Sequence, residues 1–285
     1  MHIISYNIQF GRGLDQRVDL SRICDSIRGA DVIFLQEVES GWKRSGEVDQ
    51  PRAIAGVLNE YYYVFGSSFD MDNSLKSGDG TVVNRRRRHG NMILSRWPIV
   101  SSRTFNLPKS HYADKFNIQM SLVESVIRSD KKTLRVYNYH AGYLTSEERV
   151  EQMQLLNKTY QKSPRQKGAW SGRSDLDGDD WSNREHAPEM PQSAIVCGDF
   201  NCAPDSPEYG YLVDNSDLKD CWQLVDTKNL NTGTLRPGQT GDIQVSGKID
   251  HIFVSLDLAS NVQRVAIDHR AEGSDHKPIH CFIDL

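Results

Sequence analysis

The chain has 285 residues, of which 38% are hydrophobic and 25% are charged, and its net charge is −4. These hydrophobic and charged fractions indicate a globular protein with a sizeable core. The negative net charge argues against a protein that binds long stretches of nucleic acid. No apolar run approaches the roughly 20 residues that span a bilayer, and no signal-like segment opens the chain, so we expect a cytoplasmic protein. The five scattered cysteines lack a C-x-x-C pair, which predicts free thiols and neither a disulfide framework nor a structural zinc site.

The first forty residues predict a strand, a helix and a second strand. Residues 3–8 form an apolar run with Asn7 near its end, and residues 19–27 carry apolar side chains at helical spacing. Residues 31–37 form a second apolar run that ends in Glu37. Each predicted strand therefore delivers a polar side chain at its C-terminal end, where ligand sites of α/β proteins tend to lie.

The middle of the chain predicts short strands and one long polar loop. Because residues 66–89 are rich in Gly, Ser, Asp and Arg, they are predicted to form a surface loop. Thr145 and Glu148 have the spacing of a capping box, which predicts the start of a helix. A helix is expected at residues 51–59, and strands are expected at residues 61–65, 91–95, 99–105, 116–122 and 134–140.

The segment at residues 163–192 has no apolar period and is predicted to be a second surface loop. It is interpreted as an insertion within a single domain of residues 1–285, because two halves separated there would each hold only part of the polar set described below. Beyond it, a helix is expected at residues 206–213, and strands are expected at residues 194–197, 248–255, 262–267 and 279–283.

Polar side chains that could bind a metal ion or a phosphate stand at the ends of these strands or in the adjoining loops. They are Asn7, Glu37, His140, Asp199, Asn201, Asp250, Asp275 and His276. Four carboxylates, two amides and two imidazoles suit a hard divalent cation that handles phosphate, with Mg²⁺ preferred and Mn²⁺ as the alternative. Zinc fits less well, because no two histidines have the spacing of H-E-x-x-H.

Several of these residues have a purely structural explanation when each is taken alone. Asn7 could be a hydrogen-bonding residue at a strand end, and His140 could be a core histidine. Asp250 could pair with Lys248. His251 points to the opposite face of the strand from Asp250, so we predict a structural role for it.

Taken together and in order, seven segments resemble the endonuclease/exonuclease/phosphatase superfamily, which includes DNase I-like nucleases, apurinic endonucleases, sphingomyelinases and inositol polyphosphate 5-phosphatases. The segments are YN (6–7), LQEV (35–38), GNMILSRWP (90–98), YNYH (137–140), GDFN (198–201), KIDH (248–251) and GSDHKP (273–278). The resemblance spans residues 5–279. It implies a four-layered α/β sandwich of two packed mixed β-sheets flanked by helices.

The resemblance also implies roles for the metal-binding residues. Glu37 is expected to be the principal Mg²⁺ ligand, with Asn7 and Asp275 assisting it.

The other five residues are expected to act on the phosphate and on water. The resemblance gives Asp199 the task of orienting or deprotonating the attacking water, and it makes Asn201 a donor to the scissile phosphate. His276, fixed by Asp250, is expected to bind the phosphate and stabilise its developing charge, and His140 is expected to be a second histidine that contacts the phosphate.

The expected function is therefore a Mg²⁺-dependent phosphoric ester hydrolase, either a phosphodiesterase or a phosphatase, in which water attacks phosphorus. A nuclease acting on DNA or RNA is the alternative within the family, and a non-catalytic module that binds a phosphorylated ligand is a further alternative. The expected partner is a phosphate-ester substrate, nucleic acid stays open, and we expect a monomer. The arginine run at residues 85–88 could steer phosphates, although a solvated loop is favoured.

Overall fold

The computed structural model describes residues 1–172, 187–225, 233–236 and 247–285. The α-helices in these ranges are α1 (Leu20–Ile27), α2 (Gln50–Val57), α3 (Ser146–Gln166), α4 (Pro207–Asn215) and α5 (Cys221–Leu224). The strands are β1 (His2–Asn7), β2 (Val32–Ser40), β3 (Tyr62–Asp72), β4 (Leu75–Lys76), β5 (Val82–Val83), β6 (Arg86–Ser95), β7 (Ile99–Asn106), β8 (Ser121–Arg128), β9 (Thr133–His140), β10 (Ala194–Asp199), β11 (Lys219–Asp220), β12 (Asp250–Val254), β13 (Val262–Ile267) and β14 (Ile279–Ile283).

Two six-stranded mixed sheets form the centre of the fold. The first has the order β13-β14-β1-β2-β6-β3, and the second has the order β11-β12-β10-β9-β8-β7. In the first sheet β1 and β2 run parallel, and in the second β9 and β10 run parallel. The sheets pack face to face, and helices cover their outer faces. This arrangement confirms the predicted four-layered sandwich.

The central strands are apolar on both faces because both faces are covered. Between the sheets, the core includes Ile3 and Phe34 from the first sheet and Ile195 from the second. On the outer face of the first sheet, Ile4 belongs to a separate apolar cluster shared with α1 and α2. The chain enters α1 through Asp19, whose carboxylate accepts from the backbone N–H groups of residues 21 and 22, as expected for an N-cap.

A buried amide bridge joins the two sheets near the ends of their parallel strands. Asn138 of β9 accepts a hydrogen bond from Gln36 Nε2 at 2.7 Å and donates to the carbonyls of Leu35 and Met92, both at 2.9 Å. Since an unpaired buried amide is costly, this bridge fixes the spacing between the sheets. The C-terminal ends of β1, β2, β9 and β10 consequently meet at one edge of the sandwich.

The predicted loop at residues 66–89 is wrong over much of its length. Strand β3 runs to Asp72 and pairs with β6, which begins at Arg86, and a small β4–β5 hairpin lies between them. The polar composition suggested a loop, but opposite charges face each other across the ladder, such as Arg86 Nε and Asp70 Oδ1 at 2.7 Å. Such cross-strand pairs let a polar ribbon persist as a sheet.

The strand predicted at residues 116–122 is displaced towards the C-terminus. Phe116 is 78% exposed, and the strand itself is β8, which is buried on both faces over residues 121–127 and therefore shows no alternation. The segment before β8 is held by Asn117, which donates to the Ser110 carbonyl and to Glu148 Oε2. Only half of the predicted capping box forms. The backbone N–H of Glu148 donates to Thr145 Oγ1, but the Glu148 carboxylate accepts from Asn117 and from the backbone N–H of Ser110.

The predicted loop at residues 163–192 begins later than expected, because α3 extends to Gln166. Residues 173–186 of that loop lie outside the described residues. All five cysteines are free and buried. Within the described ranges, no helix combines the length and the apolar character needed to cross a membrane.

Candidate active site

The strand register brings four of the predicted polar residues to the same edge of the sandwich. Asn7 ends β1 opposite Gln36, and Asp199 ends β10 opposite both His140 of β9 and Asp250 of β12. Since β12 runs antiparallel to β10, its first residue stands beside the last residue of β10. Ladder geometry alone therefore gathers side chains that are up to 243 positions apart (250 − 7).

Asp199 lies at the centre of the site. Its Oδ2 accepts a hydrogen bond from Asn7 Nδ2 at 2.9 Å and lies 3.6 Å from Nε2 of both His140 and His276. Its Oδ1 accepts from the backbone N–H of Asn201 at 2.9 Å. One buried carboxylate therefore connects groups from both sheets and from the loop that contains residues 273–278.

Asp250 and His276 form a close ion pair in the site. His276 Nδ1 lies 2.9 Å from Asp250 Oδ2, and both side chains are buried. Burial alone would lower the pKa of His276, but the carboxylates of Asp250 and Asp199 outweigh it and raise that pKa well above its usual value. The imidazole is accordingly held in its cationic form at neutral pH.

Burial is the largest cause of the pKa shifts of both His140 and Asp199. Burial lowers the pKa of His140, and the nearby Asp199 only partly offsets this, so the ring is neutral at neutral pH. Burial raises the pKa of Asp199, and the charge of Asp250 adds to that effect while the two histidines oppose it. The site thus holds one cationic imidazole, one neutral imidazole and a carboxylate of increased basicity.

Glu37 occupies an irregular position in β2. The pairing of β2 with β6 shifts register between Leu35 and Val38, and Glu37 itself has a φ of 56°, which turns its side chain out of the ladder. Its Oε1 accepts from Asn7 Nδ2 at 3.0 Å. Burial raises the pKa of Glu37 to about 7, and the charges of Asp275 and Asp199 add to this effect against the Asn7 hydrogen bond.

The amide of Asn7 bridges two carboxylates. Its Nδ2 donates to both Glu37 and Asp199, while its Oδ1 accepts from the backbone N–H of Gln9 at 3.0 Å. The predicted ligand oxygen of Asn7 therefore already has one protein donor, and one of its two lone pairs is still available.

Gln9 is a site residue that carried no predicted role. Its Nε2 donates to Asp275 Oδ2 at 2.6 Å, and its backbone has a φ of 44°. The available signal was its position two residues after Asn7, with apolar residues on either side of it. This contact holds Asp275 at the same edge as Asn7 and Glu37.

Asn201 lies beside Asp199 with one amide hydrogen already committed. Its Nδ2 donates to the Ala141 carbonyl at 2.9 Å, and its φ is 48°. The tight turn before it needs Gly198, because a Cβ at that position would overlap the backbone carbonyl of Tyr139. One amide hydrogen of Asn201 stays available to a ligand.

The alternation along β12 separates two Asp–His pairs. Asp250 faces the site, while His251 faces away from it and lies 3.4 Å from Asp220 Oδ2 through Nδ1. Lys248 is also 3.4 Å from Asp220, so it does not neutralise Asp250. One structural explanation of Asp250 is therefore wrong, and its buried carboxylate is matched by His276 instead.

Two sets of side chains could hold a metal ion. Asp199, Asp250 and His276 offer ligand atoms within 4.8 Å of one another. However, both nitrogens of His276 face carboxylates, and an imidazolium has no lone pair to give to a metal ion. Glu37 and Asp275, by contrast, accumulate negative charge that a cation would neutralise.

Three of the four arginines at residues 85–88 lie close to carboxylates, and the fourth, Arg87, donates to the backbone carbonyl of Asp72. Arg85 pairs with Glu47 at 2.5 Å, Arg86 pairs with Asp70 at 2.7 Å, and Arg88 lies 3.9 Å from Asp49. These pairs reduce the charge that the run offers for steering phosphates.

The model of the Endonuclease/Exonuclease/phosphatase family matches residues 4–276. A search of curated protein sequences finds no match. Among solved structures, an endonuclease/exonuclease/phosphatase from Beutenbergia cavernae is 18% identical with a TM-score of 0.66, over 99% of this chain and 70% of its own.

Two further structures of similar fold have named activities or ligands. The mannosyl-6-phosphatase Bt3783 of Bacteroides thetaiotaomicron is 19% identical with a TM-score of 0.64, and the match covers 100% of both chains. D. rerio TDP2 complexed with a single-strand DNA product is 17% identical with a TM-score of 0.59, over 100% of this chain and 99% of its own. At these identities the likeness establishes the fold alone.

Proposed function

Because the chain belongs to the endonuclease/exonuclease/phosphatase family, we propose that it is a divalent-metal-dependent phosphoesterase in which a water molecule attacks phosphorus. One observation carries the proposal. The buried carboxylate of Asp199 lies 3.6 Å from each of two imidazole nitrogens that differ in protonation. Such a group of acid, base and hydrogen-bond donors matches what phosphoryl transfer to water requires.

In this proposal Asp199 orients and deprotonates the attacking water. Its raised pKa makes it a better base than an exposed aspartate, and the hydrogen bonds from Asn7 and Asn201 fix its orientation. A base held in this way pays little reorganisation cost during the reaction.

The two histidines contact the phosphate in different states. His276, kept cationic by Asp250, offers its Nε2 hydrogen to the oxygen that develops negative charge. His140 is neutral and donates a hydrogen bond without adding a second positive charge. Asn201 contributes its free amide hydrogen as a further donor to the phosphate.

A divalent cation fits beside Glu37, with Asp275 and Asn7 as the other protein groups. Two observations support this fit. Burial, with the charges of Asp275 and Asp199 adding to it, raises the pKa of Glu37, and the donor set is rich in the oxygen ligands that Mg²⁺ prefers. When bound, such a cation supplies charge neutralisation and polarises a phosphoryl oxygen. Mg²⁺ is the preferred ion and Mn²⁺ is the alternative.

The preferred substrate is a small phosphomonoester or phosphodiester. The structural neighbours include a mannosyl-6-phosphatase and a protein complexed with single-strand DNA, so both substrate classes occur on this fold. The pairing of Arg85, Arg86 and Arg88 with carboxylates, together with the net charge of −4, favours a small ester over extended nucleic acid. Nuclease activity is kept as the second candidate because of the DNA-bound neighbour.

The test is hydrolysis of p-nitrophenyl phosphate and bis(p-nitrophenyl) phosphate, with Mg²⁺ and with EDTA. We expect metal-dependent turnover that falls by roughly 10²–10⁴-fold in Asp199→Ala and in His276→Ala. A protein that binds the esters without metal-dependent turnover would be the non-catalytic module instead. Turnover of plasmid or single-strand DNA with a steep dependence on salt would favour the nuclease.

A further inference from the structure

His89 is a buried histidine beside the candidate site that has no part in the proposed mechanism. On β6, residues 89, 91 and 93 share a face, and Ile93 of this face packs in the core between the sheets. Asn91, one step nearer to the site, donates to the Ser121 carbonyl of the second sheet. His89 therefore lies where the inner face of the first sheet reaches the cleft, and its ring centroid is 6.4 Å from that of His140.

One ring nitrogen of His89 lacks a hydrogen-bond partner among the residues that the structure describes. The side chain is 2% exposed, and its Nδ1 is buried without a hydrogen-bonding partner in the described part of the chain. Buried polar atoms normally have partners, so an orphan beside a cleft points to a ligand or a water that completes it. Burial lowers the pKa of His89 to about 3, with His140 and Arg44 adding to the effect, so the ring is neutral and can both donate and accept.

Two aromatic rings continue the surface that His89 begins. Phe69 stands opposite His89 in the β3–β6 ladder and stacks on it, with centroids 5.4 Å apart and an interplanar angle of 15°. Trp42 meets Phe69 edge-on at 6.1 Å, and both rings are only half-buried. The Trp42 Nε1 already donates to the Arg88 carbonyl at 2.9 Å, so this residue offers chiefly its apolar ring.

The cations around this surface are engaged elsewhere. Arg44 donates to both carboxylate oxygens of the buried Glu39, with the two shorter hydrogen bonds, at 2.8 and 3.1 Å, to Oε2. Arg87 donates to the Asp72 carbonyl and lies over the Trp42 ring. Because the imidazole is neutral and Arg44 is paired with Glu39, this surface favours an uncharged group over a second phosphate.

We propose that His89, Phe69 and Trp42 form a subsite for the alcohol portion of the ester, and that this portion is an uncharged, hydroxyl-bearing group such as a sugar or glycerol. The imidazole hydrogen-bonds a hydroxyl, and the aromatic rings pack against the C–H face of the same group. This assignment rests on the proposed phosphoesterase function. In it, the His89 subsite determines which alcohol leaving group the enzyme prefers.

The experiment compares His89→Leu with His89→Gln on two kinds of ester. The hydroxylated esters are glucose 6-phosphate, mannose 6-phosphate and glycerol 3-phosphate, and p-nitrophenyl phosphate is the ester without hydroxyls. We expect kcat/KM for the preferred hydroxylated ester to fall roughly 5- to 10-fold in His89→Leu, which is the loss of one neutral hydrogen bond, and to recover partly in His89→Gln. Turnover of p-nitrophenyl phosphate should change less than about twofold.

The control is His280→Leu, which removes a half-buried histidine on the outer face of β14 and should alter neither ester. Equal losses on both kinds of ester in His89→Leu, or no loss on either, would overturn the subsite. Binding is measured separately as the shift in Tm that each ester produces. If the wild-type protein binds hydroxylated and non-hydroxylated esters equally, the subsite is overturned even if both esters are hydrolysed. If the protein shows no turnover but binds hydroxylated esters selectively and in a His89-dependent way, only the enzymatic function is refuted.

Discussion

The pairing of Asp250 with His276 permits a quantitative test of the proposed chemistry. Asp250→Asn preserves the size of the side chain and an oxygen that can accept from His276 Nδ1, but it removes the negative charge 2.9 Å away. The hydrogen bond to a charged group, worth about 1.5–3 kcal/mol, becomes a neutral one. His276 keeps Asp199 at 3.6 Å, so part of the support for its cationic form is retained.

The loss should appear in the chemical step. If the imidazolium stabilises charge that develops on the phosphate, the difference between the charged and the neutral hydrogen bond, about 1–1.5 kcal/mol, corresponds to turnover slower by roughly 5- to 13-fold. The assay is kcat for p-nitrophenyl phosphate at saturating Mg²⁺, with Tm measured on the same preparations. We expect kcat to fall while KM changes little, since the effect is larger in the transition state than in the bound substrate.

The second Asp–His pair of β12 supplies a matched control. Asp220→Asn removes the charge beside His251 on the opposite face of the same strand, where Asp220 also accepts from Tyr209 at 2.8 Å. This variant should lose about 1–3 kcal/mol of stability while kcat stays within about twofold of the wild type. Equal losses of kcat in the two variants would refute the reasoning, because the stability of β12 and not the charge on His276 would then set the rate.

Two other predictions follow from the charges of the described residues. Burial alone would raise the pKa of Asp220, but its contacts with His251 and Lys248 lower it from 3.8 to about 2. The stability that this group contributes, roughly 2 kcal/mol, is present above pH 4 and is lost as the pH falls to 2, because the unfolded chain takes up the proton first. Urea unfolding between pH 5 and pH 2.5 measures this loss, which should be smaller in Asp220→Asn; equal slopes would contradict it. Separately, Glu37→Gln should raise the Mg²⁺ concentration for half-maximal turnover at least about tenfold in a metal titration, since even indirect metal contacts are worth that much. An unchanged titration curve would place the ion elsewhere.

The strands that build the site were predictable because their sequences are simple. Buried central strands appear as apolar runs, and a polar residue at the end of such a run, as at Asn7, Glu37 and Asp199, breaks the pattern visibly. Their order along the chain, matched to the resemblance, then gave the sheets and the helical layers. The structure confirms this fold, and it brings the predicted residues to one edge of the sandwich.

Other features depend on contacts that no local pattern contains. Gln9 reaches Asp275 across 266 positions, and it does so through a backbone turn with positive φ that a glutamine seldom adopts. His89 follows four arginines, so composition placed it in a loop, although each arginine has an acidic or carbonyl partner that keeps the ribbon in a sheet. Strand β8 is buried on both faces and so lacks the alternation by which a half-covered strand is recognised.

The site brings several buried carboxylates close together, and this unfavourable arrangement supports a function. Elsewhere, the buried carboxylates of Glu124 and Glu208 are matched by Arg103 and Arg149. At the site, Glu37, Asp199 and Asp275 share one edge, and the pKa values of Glu37 and Asp199 are raised because burial and mutual repulsion disfavour their charges. A fold does not need such an arrangement for stability, since apolar side chains of similar size would cost less. The unfavourable free energy is best explained by a ligand that carries positive charge and is bound during function, which is why the metal titration of Glu37→Gln bears most directly on the whole assignment.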